Sequence, residues 1–111
     1  MAPGPSFHYE VDRPKDDQPL NEVTTIKCHG RLVCENAGQI KELVMPFIPL
    51  GGRIVLDLTN LNYLDSTGLG ALVALKASAI KQGLCKLQLV NMTPRVLELV
   101  RITGLAQLFS S

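Results

Sequence analysis

The segment from Arg53 to Val90 restricts the possible folds more than any other part of the chain. RIVLDLT at 53–59 places Ile54, Leu56 and Leu58 on one side and Val55, Asp57 and Thr59 on the other, a period of two with mostly apolar residues on both faces. Such a pattern belongs to a strand in the interior of a sheet. A helical pattern follows as far as Gln82 and stops at Gly83, after which KLQLV at 86–90 alternates again. Strand, helix, strand is a βαβ unit: it sets the two strands parallel and lays the helix on one face through a right-handed crossover.

The flanking segments extend that unit in both directions. EVTTIKC at 22–28 is rich in β-branched residues, His29-Gly30 is a turn signal, and Arg31 to Cys34 is expected to run back antiparallel as the second arm of a hairpin. From Asn36, the spacing of Ile40, Leu43, Val44 and Phe47 predicts a first helix ending at Pro49 and the Gly51-Gly52 pair. Downstream, Thr93 as cap and Pro94 at the first helical position open a third helix that runs to Thr103-Gly104, leaving LAQLF as a short closing segment. Residues 1–21 hold four of the seven prolines and most of a charge cluster, which reads as a loose arm in which Phe7, Tyr9 and Val11 alternate as an edge strand does. The expected fold is α/β, a mixed β-sheet with α-helices packed mainly on one face, and the folded domain spans 22–111.

Composition narrows the function classes. A chain of 111 residues, 46% hydrophobic and 19% charged, is one globular domain. A net charge of +1 supplies no basic field for phosphate backbones, so no nucleic-acid partner is expected. Apolar runs such as Leu69 to Leu75 are broken well short of the roughly 20 residues that cross a bilayer, and the N-terminus has no apolar signal core; the protein is expected in the cytoplasm, with no membrane partner. Cys28, Cys34 and Cys85 form no C-x-x-C and are read as reduced, packed thiols, and neither a metal nor a cofactor is expected. With two histidines, His8 in the arm and His29 in the turn, no G-x-S-x-G, no third glycine after Gly68 and Gly70, and no P-loop lysine, the chain does not read as an enzyme.

What remains is LNYLDSTGLGALV at 61–73. Asp65-Ser66-Thr67 is an ordinary helix start, since either Asp65 or Ser66 can accept a first-turn N–H for about 1 kcal/mol. Three details go beyond capping. The motif lies just past the C-terminal end of a central strand, where open α/β sheets carry their functional loops. Two glycines in the first turn cost about 1 kcal/mol each relative to alanine. On a helical projection, Leu69, Leu72, Val73, Ala79 and Ile80 share a face with Lys76, while Thr67, Gly70, Ala71, Ala74, Ala77, Ser78 and Lys81 fall opposite, a stripe of small residues that another backbone could approach. The Lys76 stem is expected along the core edge with its ammonium in water.

The run VLDLTNLNYLDSTGLGALV, with the helix after it, then KLQLVN and TPRVLELVRITGL, resembles the STAS domain of anti-sigma factor antagonists over residues 22 to 109. The resemblance implies that Ser66 is phosphorylated by the partner, an anti-sigma factor of the GHKL serine-kinase type, and that only the unphosphorylated form binds it and releases the sigma factor. It implies a serine phosphatase for the return step, and it makes Asp65, Thr67, Gly68, Leu69 and Gly70 the surface the partner contacts, to which the small-residue stripe adds Ala74. One position departs from the family pattern: where relatives often carry Asp in G-x-L-D, the chain reads Gly30-Arg31-Leu32-Val33, with Glu35 the nearest carboxylate on that segment. The alternatives are a structural subunit of a stressosome-like sensory or lipid-transport assembly and, more remotely, an enzyme with Ser66 as nucleophile, for which no His or Lys is placed as base.

Overall fold

A computed structural model describes residues 7–12 and 23–110. The other residues of the expected arm, 1–6 and 13–21, lie outside the described residues, as does Glu22. Four strands, β1 (His8–Asp12), β2 (Val23–Leu32), β3 (Gly52–Leu64) and β4 (Cys85–Val90), form one sheet in the order β1-β2-β3-β4. β1 pairs antiparallel with β2, while β2 with β3 and β3 with β4 are parallel, so the sheet is mixed. The helices are α1 (Ala37–Val44), continued by a 3₁₀ segment Met45–Leu50, then α2 (Ser66–Gln82), α3 (Pro94–Ile102) and a short α4 (Ala106–Ser110).

Two crossovers in succession, β2-α1-β3 and β3-α2-β4, move across the sheet in the same direction. A shared hand therefore brings α1 and α2 to the same face, where they pack against each other. That face holds the core: Ile26, Cys28 and Leu32 of β2, Ile54, Leu56 and Leu58 of β3 and Leu87 of β4 meet Ile40, Val44, Leu72 and Leu75 from the helices. Burial pushes the Cys28 thiol up to about 12, with the Asp57 charge adding to it, so this thiol is an inert packing group. Cys85 is buried as well, but Cys34 is exposed, against the expectation of three packed thiols.

The expected hairpin at His29-Gly30 does not form. β2 runs unbroken from Val23 to Leu32, and its buried residues, Thr24, Ile26, Cys28, Gly30 and Leu32, keep one phase of the period of two straight through the supposed turn. Gly30 uses its left-handed freedom, φ 86°, to absorb a register shift and not a reversal. Lys27 pairs with Asp57 but His29 with Asn60, and Gly30 pairs with Leu61 but Arg31 with Tyr63, so β3 carries an extra residue at each of two bulges. Asp57 pins the first of them: Oδ1 accepts from the Thr59 hydroxyl at 2.6 Å, the Thr59 N–H at 3.0 Å and Asn91 Nδ2 at 3.2 Å. The Thr59 hydroxyl is the main reason its carboxyl titrates below the usual range. The antiparallel partner of β2 is β1, with His8 opposite His29 and Asp12 opposite Thr25.

The remaining elements follow the spacing closely. α1 tightens into the 3₁₀ segment at Met45, where Pro46 and Pro49 cannot donate to an α-helical ladder. α3 begins on Thr93, whose Oγ1 accepts the Val96 N–H at 3.4 Å, with Pro94 as first helical residue.

Candidate functional site

The extended β3 delivers its last residue, Leu64, directly to the start of α2, with Asp65 alone between them. Asp65 is in extended backbone, φ −98° and ψ −179°, and its carboxylate does two things. Oδ1 accepts the Gly68 N–H at 2.7 Å, capping α2. Oδ2 accepts the Cys34 N–H at 3.0 Å, tying the helix start to the turn that follows β2. The Asp65 N–H also donates to the Leu32 carbonyl at 3.3 Å. The turn is rigid in its own right: Asn36 Oδ1 accepts the Val33 N–H at 2.8 Å, and its Nδ2 donates to the Arg31 carbonyl at 2.9 Å.

Of the two possible caps, Asp65 takes the role, and this leaves Ser66 as the first helical residue, exposed, its hydroxyl bonded to nothing among the described residues. Thr67 next to it is exposed too. With Asp65 taking the N–H groups of Gly68 and Leu69, those of Ser66 and Thr67 find no acceptor among the described residues. The tip is thus a bare hydroxyl beside two outward-facing N–H groups at the positive end of a 17-residue helix.

The six residues expected to surround Ser66 separate by depth. Thr67 and Gly70 are exposed, and Asp65 and Ala74 are partly so. Gly68 and Leu69 are buried and take no part in the exposed surface. Gly68 is there for packing: a Cβ built on it would sit 2.2 Å from the Leu32 carbonyl oxygen. Gly70, two residues later, has nothing within 4 Å of such a Cβ, so no internal contact requires it. The helical projection needs three corrections. Ala71 is buried and leaves the small-residue stripe, while Ile80 is 58% exposed and leaves the core; Leu75, absent from the projected face, is fully buried. The buried face of α2 is therefore turned from the one projected, and the outer stripe is Thr67, Gly70, Ala74 and Ala77.

Lys76 also differs from expectation. It is 3% exposed, and its Nζ donates to the Leu87 carbonyl of β4 at 2.6 Å. Val33 and Glu35 stand in the turn that Asp65 holds, so the position expected to depart from the family pattern lies against the base of the Ser66 tip. No local signal in the sequence announces that juncture, because the Cys34–Asp65 bond joins residues 31 apart.

No helix of the described residues is long and apolar enough to cross a membrane. The STAS domain family model matches residues 15–111. The anti-sigma-B factor antagonist of Bacillus subtilis is 34% identical over 76 residues, 68% of this chain and 69% of that protein. The anti-sigma factor antagonist SpoIIAA in its unphosphorylated form superposes with a TM-score of 0.68 at 19% identity, covering 90% of this chain and 84% of that one. The same Bacillus cell-fate determinant in its phosphorylated form superposes at 0.65 and 18%, covering 90% and 86%. With a mixed sheet, its helices and an Asp-Ser-Thr-Gly helix start in the matched span, the chain belongs to the STAS-domain family of anti-sigma factor antagonists.

Proposed function

We propose that the chain is a binding module switched at Ser66: unphosphorylated, it binds an anti-sigma factor that is also a serine kinase of the GHKL type, and that binding frees a sigma factor. The observation that carries this reading is the Ser66 tip itself, an exposed hydroxyl without a partner on a helix start that Asp65 makes rigid from both sides. A kinase needs a reachable hydroxyl, and a switch needs a site whose charge can change without unfolding the domain.

The physics of the two states differs as a switch requires. A phosphoryl group adds about −1.5 to −2 charge and three acceptor oxygens. At the N-terminus of α2 the unused N–H groups and the helix dipole favour such a charge, by about 0.3–1 kcal/mol, so the fold survives. A partner seated on Thr67, Gly70 and Ala74 has to strip water from a dianion beside the Asp65 carboxylate, a penalty of several kcal/mol, so binding does not survive. The open surface at Gly70 supports close approach of a partner backbone, and the turn at Val33 to Asn36 extends the contact area. A serine phosphatase resets the module. The reading makes the chain a ligand and substrate of other proteins and assigns it no catalysis of its own.

The test is incubation with a candidate kinase and ATP, followed by intact mass and peptide mapping. One phosphate on Ser66, absent from Ser66→Ala, is the expected result. Ser66→Asp should fold normally and lose the partner; unchanged binding would sink the switch, and a large stable homo-assembly on size exclusion would point to a scaffold instead.

A further inference from the structure

A second chemically marked surface lies at the same end of the sheet, outside the Ser66 tip. Arg31 on β2 and Tyr63 on β3 are cross-strand partners, and the Arg31 Cζ sits 5.0 Å from the centre of the Tyr63 ring. Arg95, from the first turn of α3, reaches the same ring at 5.7 Å. Two guanidiniums on one aromatic ring attract the ring and repel each other. Neither has a carboxylate partner among the described residues. Both guanidiniums keep their donor groups for an anionic side chain that reaches this ring.

The ring also forms one wall of a groove of about 260 Å³, lined by Tyr63, Leu64, Arg95, Glu98, Leu99 and Ile102. Arg95, Glu98, Leu99 and Ile102 recur at helical spacing, so the groove follows the exposed side of α3 away from the arginines. Its far end is apolar, with Ile102 73% exposed. Glu98 stands between and opposes an occupant that is anionic along its whole length, such as a nucleic-acid strand. The charge pattern fits one carboxylate followed by apolar side chains.

We propose that this groove docks a short segment of a protein partner in which an acidic residue precedes an apolar pair: the carboxylate bridges Arg31 and Arg95, and the apolar side chains cover Leu99 and Ile102. Tyrosine and arginine are the residue types that most often dominate binding energy at interfaces. A peptide titration reads this groove and a mass measurement reads Ser66, so each of the two readings can fail without the other.

The experiment is an amide chemical-shift titration of the full chain with the capped peptide Gly-Ser-Asp-Leu-Leu-Gly, and with the same peptide carrying Asn for Asp. Saturable shifts centred on Arg31, Tyr63, Arg95 and Ile102 are expected, weakened about tenfold or more by the Asn peptide and by R31Q/R95Q, in line with the loss of a charge-assisted hydrogen-bond pair. Equal binding of the Asn peptide, equal binding by R31Q/R95Q, shifts centred elsewhere, or no saturable shift would each overturn the proposal. Should the double variant fail to keep the wild-type spectrum, the exposed Arg95→Gln alone carries the comparison.

Discussion

At its N-terminal turn α2 presents polar groups to water and keeps them available: Asp65 satisfies Gly68 and Cys34, and the Ser66 hydroxyl is left over. Further along the same helix the chemistry inverts, because Lys76 is almost wholly buried and spends its ammonium on the Leu87 carbonyl of the edge strand β4. One end leaves polar groups facing solvent, and further along the helix a charge is held against the sheet. The two glycines of the first turn repeat the contrast on a smaller scale, Gly68 pressed under the Leu32 carbonyl and Gly70 facing open space. What a helix residue is for depends on which neighbour stands opposite it, and the residue type alone does not say.

The strongest way to break this comparison is Gly68→Ala. Its Cβ meets backbone at 2.2 Å, and a carbonyl within a paired strand has little room to move. Overpacking of this kind costs about 3 kcal/mol, visible as a lowered urea midpoint; a variant as stable as the parent would mean that β2 and α2 separate easily. Next comes Asp65→Ala, which loses both the cap and the tie to the β2 turn, at about 2 kcal/mol. Asp65→Asn keeps one acceptor oxygen and should recover about half of that, apportioning the loss between helix and turn.

Gly70→Ala should go the other way. It relieves an exposed helical glycine and raises stability by up to about 1 kcal/mol, while weakening the partner proposed for the small-residue stripe. Stabilisation with unchanged binding would remove Gly70 from that surface.

The smallest effect is a slope and belongs to Lys76. Burial, and then the nearby Lys86, hold its ammonium below the usual 10.5. Between the lowered value and 10.5 the unfolded chain binds more protons than the folded one, so this lysine makes stability rise with pH across that window. Lys76→Met should flatten that part of a pH series of unfolding midpoints. An unchanged slope would place the ammonium in contact with water.

The βαβ core, the caps at Thr93 and Gly83 and the helix start at Asp65 were legible in the sequence because each rests on neighbours close along the chain: alternation, helical spacing, a side chain reaching three residues forward. The unbroken β2 was legible only in part. Thr24, Ile26, Cys28, Gly30 and Leu32 keep one phase, but a glycine after a histidine carries the same local mark whether the strand turns or bulges. What decides between them is the partner: β3 supplies a parallel edge with two extra residues, and β1 occupies the antiparallel side.

The hydroxyl-bearing helix start at Asp65-Ser66-Thr67 likewise came from a local motif, with Ser66 singled out by the family resemblance, whereas its setting was a tertiary matter. The second bond of Asp65, the burial of Gly68 and Ala71, the exposure of Ile80, the sequestered Lys76 and the two arginines on Tyr63 all join residues distant along the chain. Sequence by itself determined most of the elements, their order and the polar helix tip, because propensity, periodicity and capping act over a few residues. Only the tertiary structure decided which side of each element meets the core and which groups lose water, because burial and desolvation belong to surfaces that two distant segments make together.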